Sequence, residues 1–114
     1  MSGCIFCKII KGEIPSHKLY EDEEAYAFAD IDPKAPTHIL IIPKRHIATV
    51  DDATGEDQAL LGRLNLIAVQ LAKEVGIAES GYRLVINHGA DGGQAVSHIH
   101  LHLLGGRQMN WPPG

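Results

Sequence analysis

The stretch His98-Ile99-His100-Leu101-His102 decides how this chain of 114 residues is interpreted. Because successive side chains of a strand point to opposite faces, it predicts a strand whose three imidazoles share one face. The apolar residues between them would pack on a core, and the imidazoles would face a cleft. Neighbouring imidazoles on one face lie about 7 Å apart, so charging all three is unfavourable. Neutral imidazole at pH 7 suits a nucleophile, a metal ligand or a proton shuttle.

Two other interpretations of this stretch are open at this point. The chain contains seven histidines, so the stretch could be a surface strand that is merely rich in histidine. It could also be a three-histidine zinc site, since an i, i+2 pair of histidines on a strand can hold zinc.

The composition predicts one globular domain over residues 1–114. This length allows one core, and a chain that is 45% hydrophobic and 21% charged is typical of soluble proteins. A net charge of −4 gives no long-range attraction to nucleic acid. The longest apolar runs, such as 39–42, are too short to span a bilayer, and no basic-then-apolar signal region opens the chain. We therefore expect a cytoplasmic protein with neither nucleic acid nor a membrane as partner.

The order of periodic segments predicts an α+β fold, with an antiparallel sheet of about five strands, one long helix and one short N-terminal helix. Apolar residues recur every three or four positions over about 55–75, which predicts the long helix, with Thr54 as its N-cap. The short helix is predicted over 4–10, before Gly12. Strands are predicted at 18–21, 25–29, 38–42, 82–87 and 97–104.

The segment before the histidines, from His88 to Gln94, contains three glycines. Glycine lets main-chain N–H groups turn toward a bound anion, and Asn87 adds an amide donor. A phosphate could therefore bind beside the imidazoles. An ordinary hairpin turn is the alternative.

The chain resembles the histidine triad (HIT) family of nucleotide hydrolases and transferases, and in particular its Hint branch. The stretch 98–104 matches the family signature, and the similarity covers essentially the whole chain. The other stretches that carry the resemblance are Ile5-Phe6-Cys7-Lys8-Ile9-Ile10, Phe28-Ala29-Asp30-Ile31, Ala35-Pro36-Thr37-His38, Pro43-Lys44-Arg45-His46-Ile47 and the ending from Gly105 to Gly114.

The resemblance implies cleavage of purine nucleoside 5′-phosphoramidates, with His100 attacking the α-phosphorus and carrying the nucleotidyl group until water releases the monophosphate. It implies that His102 and His38 contact the phosphate or assist the leaving group, which is work for an imidazolium. A main-chain carbonyl near His98 could hold one ring nitrogen of His100 as a donor. Dinucleoside polyphosphate hydrolysis, nucleotidyl transfer and non-enzymatic binding of nucleotide or protein remain alternatives.

The resemblance also implies a nucleotide site in three parts, besides His100 and His102. Asp30 would accept hydrogen bonds from the ribose hydroxyls, with an ordinary turn carboxylate as the alternative. The phosphate would be held by Asn87, Gly93, Gln94 and Val96. The apolar slot for the base would be lined by Ile5, Phe6, Phe28, Ile31 and Ile42. Ala95 departs from the Hint branch, which often has serine there, and so removes a hydroxyl donor beside the leaving group.

The spacing of Cys4 and Cys7 is typical of metal ligands or of a redox pair. In zinc-containing relatives two such cysteines, a histidine at the position of His46 and the first triad histidine form a tetrahedral site. The resemblance therefore implies structural zinc held by Cys4, Cys7, His46 and His98, with no position open to water. A redox pair remains the alternative. A three-histidine site is disfavoured, because three same-face positions lie too far apart for bonds of about 2 Å to one ion.

The ending Trp111-Pro112-Pro113-Gly114 is apolar, and a tryptophan in a tail normally packs on something. The resemblance implies the other subunit of a homodimer, in which the strands of both protomers extend one sheet and the tail approaches the partner's active site. A tail folded on its own domain is the alternative.

Overall fold

A five-stranded antiparallel sheet forms the centre of the computed structural model, which describes residues 3–114. The order across the sheet is β1-β2-β3-β5-β4, so β1 and β4 are its edges. Two α-helices accompany it, and the predicted α+β fold is confirmed. The elements are α1 (Ile5–Ile10), β1 (Lys18–Glu21), β2 (Ala25–Ala29), β3 (Thr37–Pro43), α2 (Gln58–Glu74), β4 (Tyr82–Ile86) and β5 (Leu101–Gly105).

Helix α2 covers one face of the sheet through its apolar stripe. It begins three residues later than predicted, because residues 55–57 form a 3-10 turn in which the Thr54 N–H donates to Asp57 Oδ2 at 2.8 Å. Its buried side chains pack on alternate residues of β2, β3 and β5, including Ile41 and Leu103. Within residues 3–114, neither this helix nor any other is long and apolar enough to cross a membrane.

Helix α1 lies on the opposite face of the sheet and covers a second, smaller apolar cluster. The helix contributes Phe6 and Ile9, and β2 and β3 contribute side chains such as Phe28 and Ile42. Because β2 and β3 are central and covered on both faces, nearly all of their residues are buried. The face that carries α1 also carries His38 and His102, since His38 precedes Leu40 by two residues and His102 pairs with Leu40.

The prediction of a strand over 97–104 is wrong at its beginning, because β5 starts only at Leu101. His98 lies in a bend and His100 in irregular chain, so His102 is the one triad histidine within a regular strand. The main chain leaves the ladder here because the Ile99 N–H donates to the Ile47 carbonyl, at 2.7 Å, in the segment that follows β3. The strict alternation predicted for the three imidazoles therefore does not apply to His98 and His100.

Candidate active site and metal centre

The histidines of the stretch 98–102 serve two different clusters. The ring of His98 lies against that of His46, with ring centroids 4.9 Å apart. The rings of His100 and His102 are 4.9 Å apart, and that of His102 is 5.2 Å from the ring of His38. The predicted single row of three imidazoles is thus replaced by two neighbouring groups.

The first cluster, hereafter the Cys/His cluster, consists of Cys4, Cys7, His46 and His98. The Sγ atoms of Cys4 and Cys7 lie 3.3 and 3.6 Å from His98 Nδ1. Nδ1 of His46 lies 3.4 Å from Cys7 Sγ and 3.2 Å from His98 Nδ1. Tetrahedral zinc, with bonds of about 2.3 Å to sulfur and about 2.0 Å to nitrogen, requires ligand separations of about 3.3 to 3.8 Å. These four separations therefore match those of a tetrahedral zinc site, and all four ligand atoms lie within 4.8 Å of one another.

Hydrogen bonds around the Cys/His cluster leave its ligand atoms directed inward. His98 Nε2 donates to the Pro43 carbonyl at 2.8 Å, so Nδ1 keeps its lone pair. Burial lowers the pKa of His98, which favours the neutral ring that a metal requires. The Cys7 N–H donates to Cys4 Sγ at 3.3 Å. Burial, together with the neighbouring Cys4, raises the pKa of the Cys7 thiol. Two neighbouring thiolates are therefore unfavourable here unless a bound cation stabilises their charge.

The second cluster is a chain of hydrogen bonds from Lys34 to His102. The Lys34 N–H donates to His38 Nδ1 at 3.0 Å, so His38 carries its proton on Nε2. That nitrogen faces His102 Nδ1 at 2.9 Å and Asp30 Oδ2 at 3.4 Å. His102 accepts at Nδ1 and therefore carries its own proton on Nε2. Among residues 3–114, His102 Nε2 is the only buried side-chain nitrogen or oxygen without a hydrogen-bond partner.

The side chains of Asp30, His38 and His102 are close enough together to be considered as metal ligands. The Lys34 N–H argues against it, because it occupies the lone pair of His38 Nδ1 and leaves the hydrogen on the nitrogen that would have to bind the ion. This group is better described as a proton-carrying chain that ends in an unsatisfied N–H donor.

His100 is held in one tautomer by the main chain. Its Nδ1 donates to the His98 carbonyl at 2.7 Å, so Nε2 keeps its lone pair. The ring is only 6% exposed, and the edge-to-face contact with Phe6, at 5.1 Å between centroids, fixes its orientation. Within residues 3–114, Nε2 of His100 has no hydrogen-bond partner and yet is not among the fully buried atoms, so it reaches the surface. A reactive atom directed at a ligand requires this arrangement.

His102 is neutral in the free protein. Burial, together with the neighbouring rings of His100 and His38, lowers its pKa to about 4, against an opposing contribution from Asp30. Burial likewise lowers the pKa of His38. The imidazolium that the resemblance implies is therefore absent from His102 in the free protein at pH 7.

The glycine-rich turn uses the N–H groups that were predicted to hold phosphate. The Gly93 N–H donates to the Ala90 carbonyl at 3.1 Å and the Gln94 N–H to the Gly89 carbonyl at 3.0 Å. The turn needs glycine, because φ of Gly93 is +77° and a Cβ at Gly92 would overlap the main chain of His88. Within residues 3–114 no hydrogen bond uses the main-chain N–H of residues 95–98. These four donors and the Asn87 amide are therefore among the groups available to an anion.

The residues predicted to line the base slot do not share one surface. A groove of about 640 Å³ is lined by Gly3, Cys4, Ile5, His46, Ala95, Val96 and Ser97, so it includes two predicted nucleotide contacts, Ile5 and Val96. Phe6 and Phe28 are buried in the cluster beneath α1. Ile42 is 0% exposed and can only support the slot from below, whereas Ile31 is 97% exposed and lies in solvent.

The sequence model of the HIT domain family matches residues 11–109. The chain belongs to the HIT family. A crystal structure of a HIT family hydrolase from Legionella pneumophila is 57% identical, covers 98% of this chain and 100% of its own, and superimposes with a TM-score of 0.97.

Two further relatives bear on the two clusters of this HIT protein. A 14 kDa zinc-binding protein of Zea mays is 57% identical over an alignment of 115 positions, which covers 99% of this chain and 89% of the relative. A histidine triad nucleotide-binding protein from Candida albicans is 38% identical, with a TM-score of 0.83 over 96% of this chain and 83% of its own. The family match begins after Cys7, so it does not itself bear on the cysteine pair.

Sequence reasoning missed two contributions to the site of this HIT protein. One is the main-chain N–H of Lys34, which sets the tautomer of His38 and is independent of side-chain identity. The other is the ring of Phe6, which contacts both His98 and His100. The only sequence signal for the Lys34 contribution was the rigid loop Asp32-Pro33-Lys34, which lies shortly before His38. The only signal for the Phe6 contribution was its position between two cysteines.

Proposed function

We propose that this HIT protein is a nucleotide hydrolase that cleaves purine nucleoside 5′-phosphoramidates to the nucleoside monophosphate through a covalent intermediate on His100. The observation that carries the proposal is the 2.7 Å hydrogen bond from His100 Nδ1 to the His98 carbonyl, which commits Nε2 to a lone pair. Two relatives, one described as a hydrolase and the other as a nucleotide-binding protein, support the broader class.

In the first step, the lone pair on His100 Nε2 forms a bond to phosphorus while the bond from phosphorus to the amine nitrogen breaks. The leaving amine takes a proton from His102 Nε2. A bound phosphoryl group is negatively charged, so it raises the pKa of the nearby His102 and supplies the protonated ring that the free protein lacks. The N–H groups of residues 95–98 and the Asn87 amide would stabilise the charge that develops on the phosphoryl oxygens.

In the second step, water attacks the phosphorus, gives a proton to His102 and displaces His100, which regains its neutral form. Because a protonated His102 carries hydrogen on Nδ1 as well, the Nε2–H of His38, 2.9 Å from that atom, then donates to Asp30 Oδ2 instead. Asp30, 3.4 Å from His38 Nε2, favours positive charge in this chain during the reaction. Ribose binding by Asp30 would use its remaining acceptor capacity.

The test compares turnover of adenosine 5′-phosphoramidate and diadenosine polyphosphate, with His100→Ala as the control. We expect the first substrate to be preferred, and a nucleotidyl adduct on His100 to be found by mass spectrometry of protein quenched during turnover. Faster polyphosphate turnover supports the dinucleotide hydrolase instead. Binding of AMP without hydrolysis of either substrate supports a binding module, and full activity of His100→Ala excludes this residue as the nucleophile.

We further propose that the Cys/His cluster holds a structural zinc ion. The separations among Cys4, Cys7, His46 and His98 support it, as does the similarity to a maize protein described as zinc-binding. Four protein ligands complete a tetrahedral shell, so the ion, when bound, stabilises the fold and activates no water. It would join α1 to the segment before β5, and the proposed hydrolysis involves only the residues of the second cluster and His100.

We also propose that the protein forms a homodimer. The side chain of Trp111 is 82% exposed, and Arg83 on the edge strand β4 donates to the Asn110 carbonyl at 2.8 Å, which places the start of the tail beside an open sheet edge. Sedimentation equilibrium should show a dimer that weakens when residues 111–114 are removed. A wild-type protein that is monomeric at 100 times the assay concentration contradicts the proposal.

A further inference from the structure

The side-chain amide of Gln94 uses all of its donors within the protein. Its Nε2 donates to the Ala48 carbonyl at 2.9 Å and to the Val96 carbonyl at 3.0 Å. Its Oε1 accepts from the Gly89 N–H at 3.1 Å. An amide nitrogen has two hydrogens, so Gln94 has no donor left for a ligand.

The three partners of this amide belong to three different segments. Gly89 is in the glycine-rich turn, Ala48 is in the connection after β3, and Val96 is in the run of unused N–H groups. A second bond joins the same segments close by, because the Ile99 N–H donates to the Ile47 carbonyl at 2.7 Å. Gln94 and Ile99 thus attach residues 95–98 to the connection after β3 at both ends of that run.

Apart from the ring of His98, which donates to the Pro43 carbonyl at the end of β3 and belongs to the Cys/His cluster, residues 95–98 have little in regular structure to hold them. They precede β5 and form no ladder with β3 or β4. Three of them line the groove beside Ile5, and the fourth, His98, supplies the carbonyl that orients His100. Electrostatic stabilisation depends on donors that are fixed before the charge develops, so the segment has to be held from outside.

We propose that Gln94 is a positioning residue, whose amide fixes the run of N–H donors at 95–98 and does not itself touch the nucleotide. The inference rests on the proposed function for its effect on catalysis. It departs from the prediction that Gln94 binds the phosphate, because a direct contact would first have to break one of its three bonds.

Two variants and a control test the proposal. Gln94→Met keeps the length of the side chain and removes all three bonds, while Gln94→Glu keeps the acceptor and turns an oxygen toward two carbonyls. Gln70→Met is the matched control, since Gln70 is exposed on α2 and bonds only to Glu74. Loosening the donors should lower kcat about 10- to 100-fold in both Gln94 variants, with KM for adenosine 5′-phosphoramidate changed less than threefold. The control should behave as wild type.

Amide hydrogen exchange gives a readout that needs no turnover. We expect faster exchange of the Ile99 N–H in Gln94→Met than in wild type and in Gln70→Met, whereas equal exchange in all three proteins overturns the proposal. In wild type, AMP should shift the NMR signals of the N–H groups at 95–98 and leave those of the Gln94 side-chain amide in place. A raised KM with normal kcat, or a shifted Gln94 amide signal, identifies a direct ligand instead. If wild type lacks phosphoramidase activity, the proposed function fails, while the exchange experiment still decides the role of Gln94.

Discussion

Replacing His102 by asparagine should weaken the acid sensitivity of the folded protein. Asparagine keeps an acceptor for the Nε2–H of His38 and cannot be protonated between pH 4 and 7. In wild type, burial and the rings of His100 and His38 lower the pKa of His102 from 6.5 to about 4. The unfolded chain therefore binds a proton in this range that the folded protein does not bind.

The sign and size of the effect follow from proton linkage. Because the unfolded state binds more protons between pH 6.5 and pH 4, the free energy of unfolding falls as the pH falls. Each pH unit changes it by about 1.4 kcal/mol, so His102 alone removes about 3 kcal/mol over this interval. That amount is a large share of the about 5–15 kcal/mol that stabilises a domain of ordinary size.

The assay is urea unfolding of wild type and His102→Asn at pH 7, 6, 5 and 4.5, in the same buffers and with equal metal content. The difference in unfolding free energy between the two proteins should change by about 2 to 3 kcal/mol from pH 7 to pH 4.5. His17→Asn is the control, because water surrounds this exposed ring in both states and wild-type behaviour is expected. Parallel curves for wild type and His102→Asn would show that the ring is not held neutral by its surroundings.

Two further predictions concern metal content and stability. Cys7→Ser should reduce zinc from about one ion per chain to a small fraction, measured by mass spectrometry of the elements, and lower Tm; unchanged zinc would exclude the Cys/His cluster as the site. Burial alone would raise the pKa of Asp22, but hydrogen bonds from Tyr20, from the main chain and from Arg63 lower it to about 2. Asp22→Asn should therefore lower the free energy of unfolding by about 1 to 2 kcal/mol at pH 7, and this difference from wild type should disappear as the pH falls from 4 to 2. A difference that stays constant over this range would contradict the prediction.

Much of the fold could be predicted because its signals are local. The repeat along α2 and the apolar runs of β2 and β3 each identify an element without knowledge of the rest. The beginning of β5 could not be predicted, because it depends on the hydrogen bond from the Ile99 N–H to the carbonyl of Ile47, 52 positions earlier in the chain. Sequence patterns carry no information on such a partner.

The site was predictable to a different degree for polar and for apolar residues. The resemblance named four ligands for a metal, and the structure places the atoms of all four within 4.8 Å of one another, although whether they bind zinc stays a prediction. Among the apolar residues, Ile31 is in solvent and Ile42 is enclosed. An isoleucine that packs in a core and one that lines a slot look alike in a sequence, since both require only an apolar side chain.

His98 takes part in both clusters at once, with its ring in one and its carbonyl oxygen on His100 in the other. Samples purified with and without chelator would accordingly differ in how well the reactive ring is aligned, even when substrate affinity is equal. Specific activity would then vary from batch to batch with the zinc occupancy of the Cys/His cluster, although the zinc does not contact the substrate. Rates measured on such samples become comparable only when each is reported with its zinc stoichiometry.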